Sequence, residues 1–553
     1  MEHNIRSGYG RRNTEPSIST YLSNPNLGDK EQMELIDNEI LRVEGQIVQL
    51  VKHRTFLQRR RNTFSPAVKL PPEILAHIFE YACYPNGGEF GDRYYTYFPA
   101  SQLMGGINLG LSVGVGAVTP LFIGTICNAW RNVSKSASQL WRTITIHMSN
   151  KHAEAQASLL HSWLQRSATR PLAIKLLEDD TSGSEEDEWG IDVASTAVIN
   201  VLAQYSRQWH TIDFFLPSSW KKIFSDMKHD LPLLTNATLR VAENSPSMMR
   251  VDAFAYAPRL REVHLVGYSI TDVTLPWAQL NRLDGEYFGV DECLETLRLC
   301  TDLQRCQFER AHRRARPFIA QSITHENLES FELIMNGTNE LHALFGAMTL
   351  PNLKEIVLSF SGDEPLLREI VPLIRRSGCV LQHVHLVGVT PSEEELLGFL
   401  QELPMLQVFI LINPVTESGG RLSRKLIQAL KPRNIALEDD HTMPEDELED
   451  EDSITPCLVP KLQRLEYQGA IDFTSHELLE FLVSRWRLPA QSTQPRQHGH
   501  IIEEGLPPIV SQLRVVSLTS TQKIKFNSTD SMVVDELVRE GMLLEFLDDP
   551  NAD

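Results

Sequence analysis

The sequence predicts an α/β solenoid with parallel strands on its concave side, preceded by a small all-α unit and an N-terminal heptad helix. Three observations predict it. The pattern L-x-x-Φ-x-Φ, where Φ is apolar, recurs at Leu260/Val263/Leu265, Leu303/Cys306/Phe308, Leu328/Phe331/Leu333, Leu353/Ile356/Leu358, Leu381/Val384/Leu386 and Leu406/Phe409/Leu411, with a shorter copy at Leu280/Leu283. Helical patterns lie between these triplets, and apolar residues recur in steps of three and four from Met33 to Leu57. Successive copies begin 20 to 28 residues apart. A unit of that size cannot cover its own apolar side, so neighbours must stack.

Residues 1–28 are polar and carry no apolar run, which predicts a disordered tail without a secretory signal. Residues 29–64 then form the heptad helix. Met33, Ile36, Ile40, Val43, Ile47, Leu50 and Leu57 make one narrow apolar seam, broken only by Arg54. Such a seam needs a partner, either the chain's own next unit or a second copy.

Residues 65–146 are expected to be helical. Prolines at 71 and 72 suit a helix's first turn, and Ile74, Leu75, Ile78, Phe79 and Ala82 are read as one face. A glycine-rich insert of about 84–119 follows. No charge occurs from Tyr94 to Trp130, but six glycines between 105 and 124 argue for an insert over a membrane span. Ile126, Cys127, Trp130 and Val133 continue the unit, with Leu140-Trp141 and Ile144-x-Ile146 after them.

The solenoid is expected over 147–545. Weak copies begin at Trp209 and near Leu234, and two more lie at Leu462/Leu465/Tyr467 and Leu513/Val516/Leu518. Leu366, Leu367, Ile370, Val371 and Ile374 share a helical face, and Ser392-x-x-Glu395 and Thr474-x-x-Glu477 read as capping boxes. An acidic loop at about 438–455, a Pro/Gln/His loop at about 488–508 and an acidic stretch at 178–188 should not pack. Glu262, His264, Glu332, Lys354, His383, His385 and Gln407 are expected on the concave surface, where partners bind.

Leu70-Pro71-Pro72-Glu73-Ile74-Leu75-x-x-Ile78-Phe79, then Ile126-Cys127-x-x-Trp130-Arg131, then Leu140-Trp141, resembles the F-box. The 20 to 28-residue spacing resembles leucine-rich repeats, in a divergent form whose usual strand-ending asparagine occurs only at Asn336. Together they resemble the fungal F-box proteins with C-terminal leucine-rich repeats. That resemblance implies a substrate receptor of a ubiquitin ligase, in which the F-box binds a Skp-type adaptor, and through it a cullin, while the repeats bind a protein substrate. The adaptor contacts it carries over are Leu70, Pro71, Ile74, Leu75, Ile78, Phe79, Cys127, Trp130, Leu140 and Trp141. The alternative is a non-catalytic scaffold without ubiquitin transfer.

The formal charge of -20 repels phosphate backbones, which disfavours nucleic acid as a partner. Seven scattered cysteines without a C-x-x-C pair favour a reducing compartment, cytoplasm or nucleus. No nucleotide, nucleophile-elbow or zinc-protease motif occurs, so no enzyme, metal or cofactor is expected. His383-x-His385 and His498-x-His500 lack further ligands and read as surface or packing residues. Arg310, His312, Arg313, Arg314 and Arg316 read as a solvated face or an anion pocket.

Overall fold

A computed structural model describes residues 28–84, 111–112, 118–177, 195–227, 231–241, 250–311, 321–336, 341–361, 366–413, 421–432, 457–488, 510–520 and 524–548. The tail, the acidic stretch at 178–188, the 438–455 loop, almost all of the 488–508 loop, His498-x-His500 and the basic group beyond Arg310 lie outside them. The chain divides into two compact units, Met1–Gly87 with Gly116–Leu140, and Gly88–Val115 with Trp141–Asp553.

In the first unit, helix α1 (Asp29–Asn62) opens with Asp29 and Glu31 and closes with Arg59, Arg60 and Arg61, charges that suit the two ends of its dipole. None of its residues is buried. Of the two partners left open for its seam, the chain's own next unit leaves that seam uncovered among the described residues. Helix α2 (Pro72–Cys83) starts at a proline and buries Leu75, Ala76, Phe79 and Cys83. The single face read from the sequence splits in two, because Ile74, Ile78 and Ala82 point outward. Thr119 caps α3 (Pro120–Ile126) by accepting from the Phe122 N–H at 3.0 Å. Cys127 begins α4 (Asn128–Ser136) with its Sγ accepting from Trp130 N at 3.4 Å. Arg131 Nε donates to the Gly124 carbonyl at 2.7 Å and Ser134 Oγ to the Pro120 carbonyl at 3.0 Å, tying α3 to α4.

The second unit is built on one sheet. Its strands are β1 (Leu111–Ser112), β2 (Thr143–His147), β3 (Leu172–Leu177), β4 (Trp209–Leu216), β5 (Asn236–Val241), β6 (Glu262–Val266), β7 (Arg282–Glu286) and β8 (Arg305–Ala311). After a separate β9 (Ile323–Thr324) come β10 (Ser330–Asn336), β11 (Met348–Thr349), which pairs with β9, then β12 (Glu355–Ser361), β13 (His383–Val387) and β14 (Val408–Ile412). A short β15 (Arg421–Ser423) lies beside β16 (Arg464–Asp472), and β17 (Val515–Ser520) and β18 (Leu543–Asp548) complete the sheet. From β2 to β18 the main path follows chain order and every pairing is parallel, an α/β solenoid-like arrangement.

Register explains the sequence repeat. Cys306, Phe331, Ile356, Val384, Phe409, Leu465 and Val516 pair in one continuous row, and Phe308, Leu333, Leu358, Leu386, Leu411, Tyr467 and Leu518 in the next. All are buried. The weak early copies belong to the first row as well, through Ile212, Ala237, Val263 and Leu283. Ile144 and Ile146 pair with Ile174 and Leu176. The boundary between units thus falls after Leu140, and the repeats begin at β2.

A forked hydrogen bond fixes each step. The Gln304 carbonyl accepts from Glu329 N and Ser330 N at 2.8 and 3.0 Å, Glu329 from Lys354 and Glu355 at 2.9 and 3.0 Å, and Lys354 from Gln382 and His383 at 2.8 and 3.0 Å. Each donor at a strand start is satisfied by the repeat before it.

Helices α5 (Ala153–Ser167), α6 (Thr196–Ala203), α7 (Lys221–Asp226), α8 (Val290–Leu299), α9 (Leu341–Ala347), α10 (Leu366–Ser377), α11 (Glu393–Gln401), α12 (Arg424–Leu430), α13 (Ser475–Trp486) and α14 (Ser528–Arg539) occupy the connections. Leu366, Leu367, Ile370 and Ile374 of α10 are buried as expected. Both capping boxes form: Glu395 N donates to Ser392 Oγ at 3.3 Å and Glu477 N to Thr474 Oγ1 at 3.3 Å. Arg485 of α13 is fully buried, donating to the Val459 carbonyl at 2.8 Å and the Pro460 carbonyl at 3.4 Å.

Candidate functional site

In β6, β7, β13 and β14 alternate residues are buried in the core, and those between them remain half-exposed. That alternation leaves one face of the sheet open. Glu262, His264, Glu332, His383 and His385 stand on it. Lys354 and Gln407 do not, because β12 and β14 begin one residue later and Glu355 and Val408 take those positions. Lys354 instead sits ahead of its strand, its Nζ 2.8 Å from Glu329 of the preceding repeat.

The open face has two chemistries. Across β6 to β8 it is polar. His264 Nε2 lies 3.2 Å from Glu286 Oε1, and that hydrogen bond, aided by the charges of His264 and Arg310, holds the Glu286 carboxyl below its ordinary range. Glu309 pairs across the strands with Glu286, and burial, then the Glu286 charge, pushes its carboxyl up. Arg310 is an extra residue in β8: Ile334 pairs with Glu309 and Met335 with Ala311. This bulge re-aims its side chain. The guanidinium lies 5.2 Å over the Tyr287 ring, donates to the Tyr287 hydroxyl and stands 3.7 Å from Glu286.

Tyr287 and Arg310 both have left-handed backbone, with φ of +67° and +50°. Each follows the last residue of an open-face row, where β6 and β13 are followed by Gly267 and Gly388, both at φ +75°. Glycine takes this conformation without strain and other residues at a cost of about 1 to 2 kcal/mol. Two bulky residues in that slot, on adjacent repeats and stacked on each other, mark the β7–β8 edge as a specialised place.

Across β10 to β14 the open face carries an aliphatic patch of Ile334, Val357, Val387, Val408, Ile410 and Ile412, beside Glu332, Glu355 and His383. His385 lies between Val357 and Ile410 in register. Burial pushes its imidazole pKa down, and its Nε2 has no hydrogen-bond partner among the described residues. Reading the sequence for polar open-face residues missed this patch, although β14 is apolar at all five positions, Val408 to Ile412. A strand apolar at every position is apolar on both faces.

The first unit offers a second surface. Of the ten residues with carried-over roles, Leu70, Pro71, Ile74 and Ile78 are exposed, Ile74 and Ile78 each at 48%. Cys127 and Trp130 are half-buried; the Trp130 ring lies 5.0 Å from Phe79, and its indole N–H has no partner among the described residues. Leu75, Phe79 and Leu140 are buried, so direct contact with a partner is excluded for them without rearrangement. Trp141 belongs to the second unit, its ring 4.6 Å from that of Trp163. Tyr81, Leu121 and Phe122 are exposed and were not singled out, and Ile126, read as part of the motif without a contact role, is exposed as well.

All seven cysteines are free. Burial pushes the Cys300 thiol up to about 12 and Cys293 and Cys306 well above the usual range, which makes them packing groups and not nucleophiles. Among the described residues no His, Cys, Asp or Glu group is arranged to hold a metal, and no helix is long and apolar enough to cross a membrane. No protein-family model matches the chain, and no curated protein matches it either.

Proposed function

We propose that the chain is the substrate-recognition subunit of a ubiquitin ligase of the Skp, cullin and F-box type. Its helical unit acts as the F-box that docks a Skp-type adaptor, and its solenoid acts as divergent leucine-rich repeats that hold a protein substrate. One observation carries the reading: α2 is apolar on two sides, with Leu75, Ala76, Phe79 and Cys83 packed inside while Ile74 and Ile78 stand exposed one turn apart. A three-turn helix exposing such a pair is suited to a partner that covers it. The open face of the sheet, aliphatic over β10–β14 and carboxylate-bearing over β6–β8, suits a client segment that sets apolar side chains beside a basic one. The receptor needs no catalytic residue, since it acts by raising the substrate's effective concentration near a charged enzyme held elsewhere. Its site of action is then the cytoplasm or nucleus.

Titration of the full chain with purified Skp-type adaptor tests this. Wild type binds, and Ile74→Asp with Ile78→Asp weakens binding more than about tenfold while leaving thermal melting of the solenoid unchanged. Wild type that fails to bind the adaptor overturns the reading. The scaffold alternative rests on a different observation, that the insert interrupting the helical unit supplies β1 to the sheet of the second unit. Purified complexes with clients but no cullin would favour it.

A further inference from the structure

We propose that α1 pairs antiparallel with α1 of a second copy, making the chain a dimer; this does not rest on the ligase reading. The seam from Met33 to Leu57 is fully laid out on the helix and left open, with Met33 64% and Leu50 68% exposed. At 34 residues the helix is about 51 Å long, which is ample for a two-stranded coiled coil. A lone helix with one narrow apolar stripe gains little from its own propensity, and Gly45 lowers that further.

Charge selects the occupant and its direction. Asp29 to Glu44 carries six carboxylates against two cations, whereas 45–62 carries five Lys and Arg and no carboxylate. A parallel pair sets like halves together, placing Arg54 against Arg54 in the seam. An antiparallel pair sets the acidic half on the basic half. It also keeps the seam in phase: about a centre at residue 45, Met33 meets Leu57, Ile40 meets Leu50 and Val43 meets Ile47, an a position against a d position in each layer. Arg54, the one break in the seam, then meets Ile36 of the other copy, next to Asp37 in sequence, and not a second Arg54. The break thereby favours this orientation, since cations in seam positions and charged flanks choose register and partner direction.

Light scattering of the full chain at about 10 μM, a concentration suited to moderate protein–protein affinities, should give twice its 62.7 kDa. Ile40→Asp with Ile47→Asp should halve that mass without moving the thermal transition of the solenoid, because α1 buries nothing in its own chain. Orientation is read by oxidation. Chains carrying Met33→Cys, mixed with chains carrying Leu57→Cys, should give mixed covalent dimers above the wild-type background, and Met33→Cys alone should give none. A monomeric wild type, a dimer that survives the double substitution, or covalent dimers from Met33→Cys alone would each overturn the proposal.

Discussion

At Gly388 the backbone turns left-handed, and a Cβ built there would overlap the Phe360 carbonyl oxygen. Gly388→Ala should therefore destabilise the solenoid by at least about 3 kcal/mol in urea unfolding. Tyr287 occupies the corresponding slot after β7, and Tyr287→Gly should stay within about 1 kcal/mol of wild type, as relief of strain offsets the lost stacking of Arg310. His385 sets a pH dependence. Its folded pKa is depressed by burial, so the native state takes up its proton less readily than the unfolded chain. Stability is complete above about 6.5 and is lost as the pH falls from there through the folded value. His385→Leu should show a smaller drop in melting temperature than wild type between pH 7.5 and 5.5, about one unit either side of the free imidazole value; an equal drop would show that His385 is not responsible. Neither the left-handed slot at Tyr287 nor the orphaned imidazole could be read from sequence, because both arise from neighbours about two dozen residues away in the chain.

The elements differ in how plainly the sequence announced them. Strands with L-x-x-Φ-x-Φ were legible because each triplet is a local pattern with a local cause, the burial of alternate side chains. Strand starts were less so: Lys354 and Gln407 were placed one residue too early, since the forked hydrogen bonds that set where β12 and β14 begin link successive repeats. The two faces of α2 were merged for a related reason. Ile74 and Leu75, like Ile78 and Phe79, are chain neighbours about 100° apart on a helix, and tertiary packing, such as that of Phe79 against Trp130, decides which member turns inward. Arg485 shows an element held from outside itself. Its buried guanidinium satisfies the carbonyls of Val459 and Pro460 in the turn before β16, and the same burial pushes its pKa down. Arg485→Leu should cost about 1 to 3 kcal/mol by removing the guanidinium's hydrogen bonds to those carbonyls, each of which keeps one backbone donor, from Leu462 N and Ser511 N, visible as an earlier urea transition. A variant as stable as wild type would mean that water replaces the guanidinium.

For the whole molecule, stacking in register does two things at once: it hides the Leu, Val and Phe rows and lays the alternate rows side by side as an open face. The core was legible in the sequence and the open face only partly so, because half-exposed side chains are not constrained by packing as the buried rows are. Separate surfaces for adaptor and client predict separable losses. Quantitative affinity purification of the full chain should show that Val387→Glu with Ile410→Glu removes client proteins and keeps the adaptor, whereas Ile74→Asp with Ile78→Asp removes the adaptor and keeps the clients. If either pair of substitutions removes both sets together, or if the open-face pair removes nothing, the sheet is not the capture surface and the account fails.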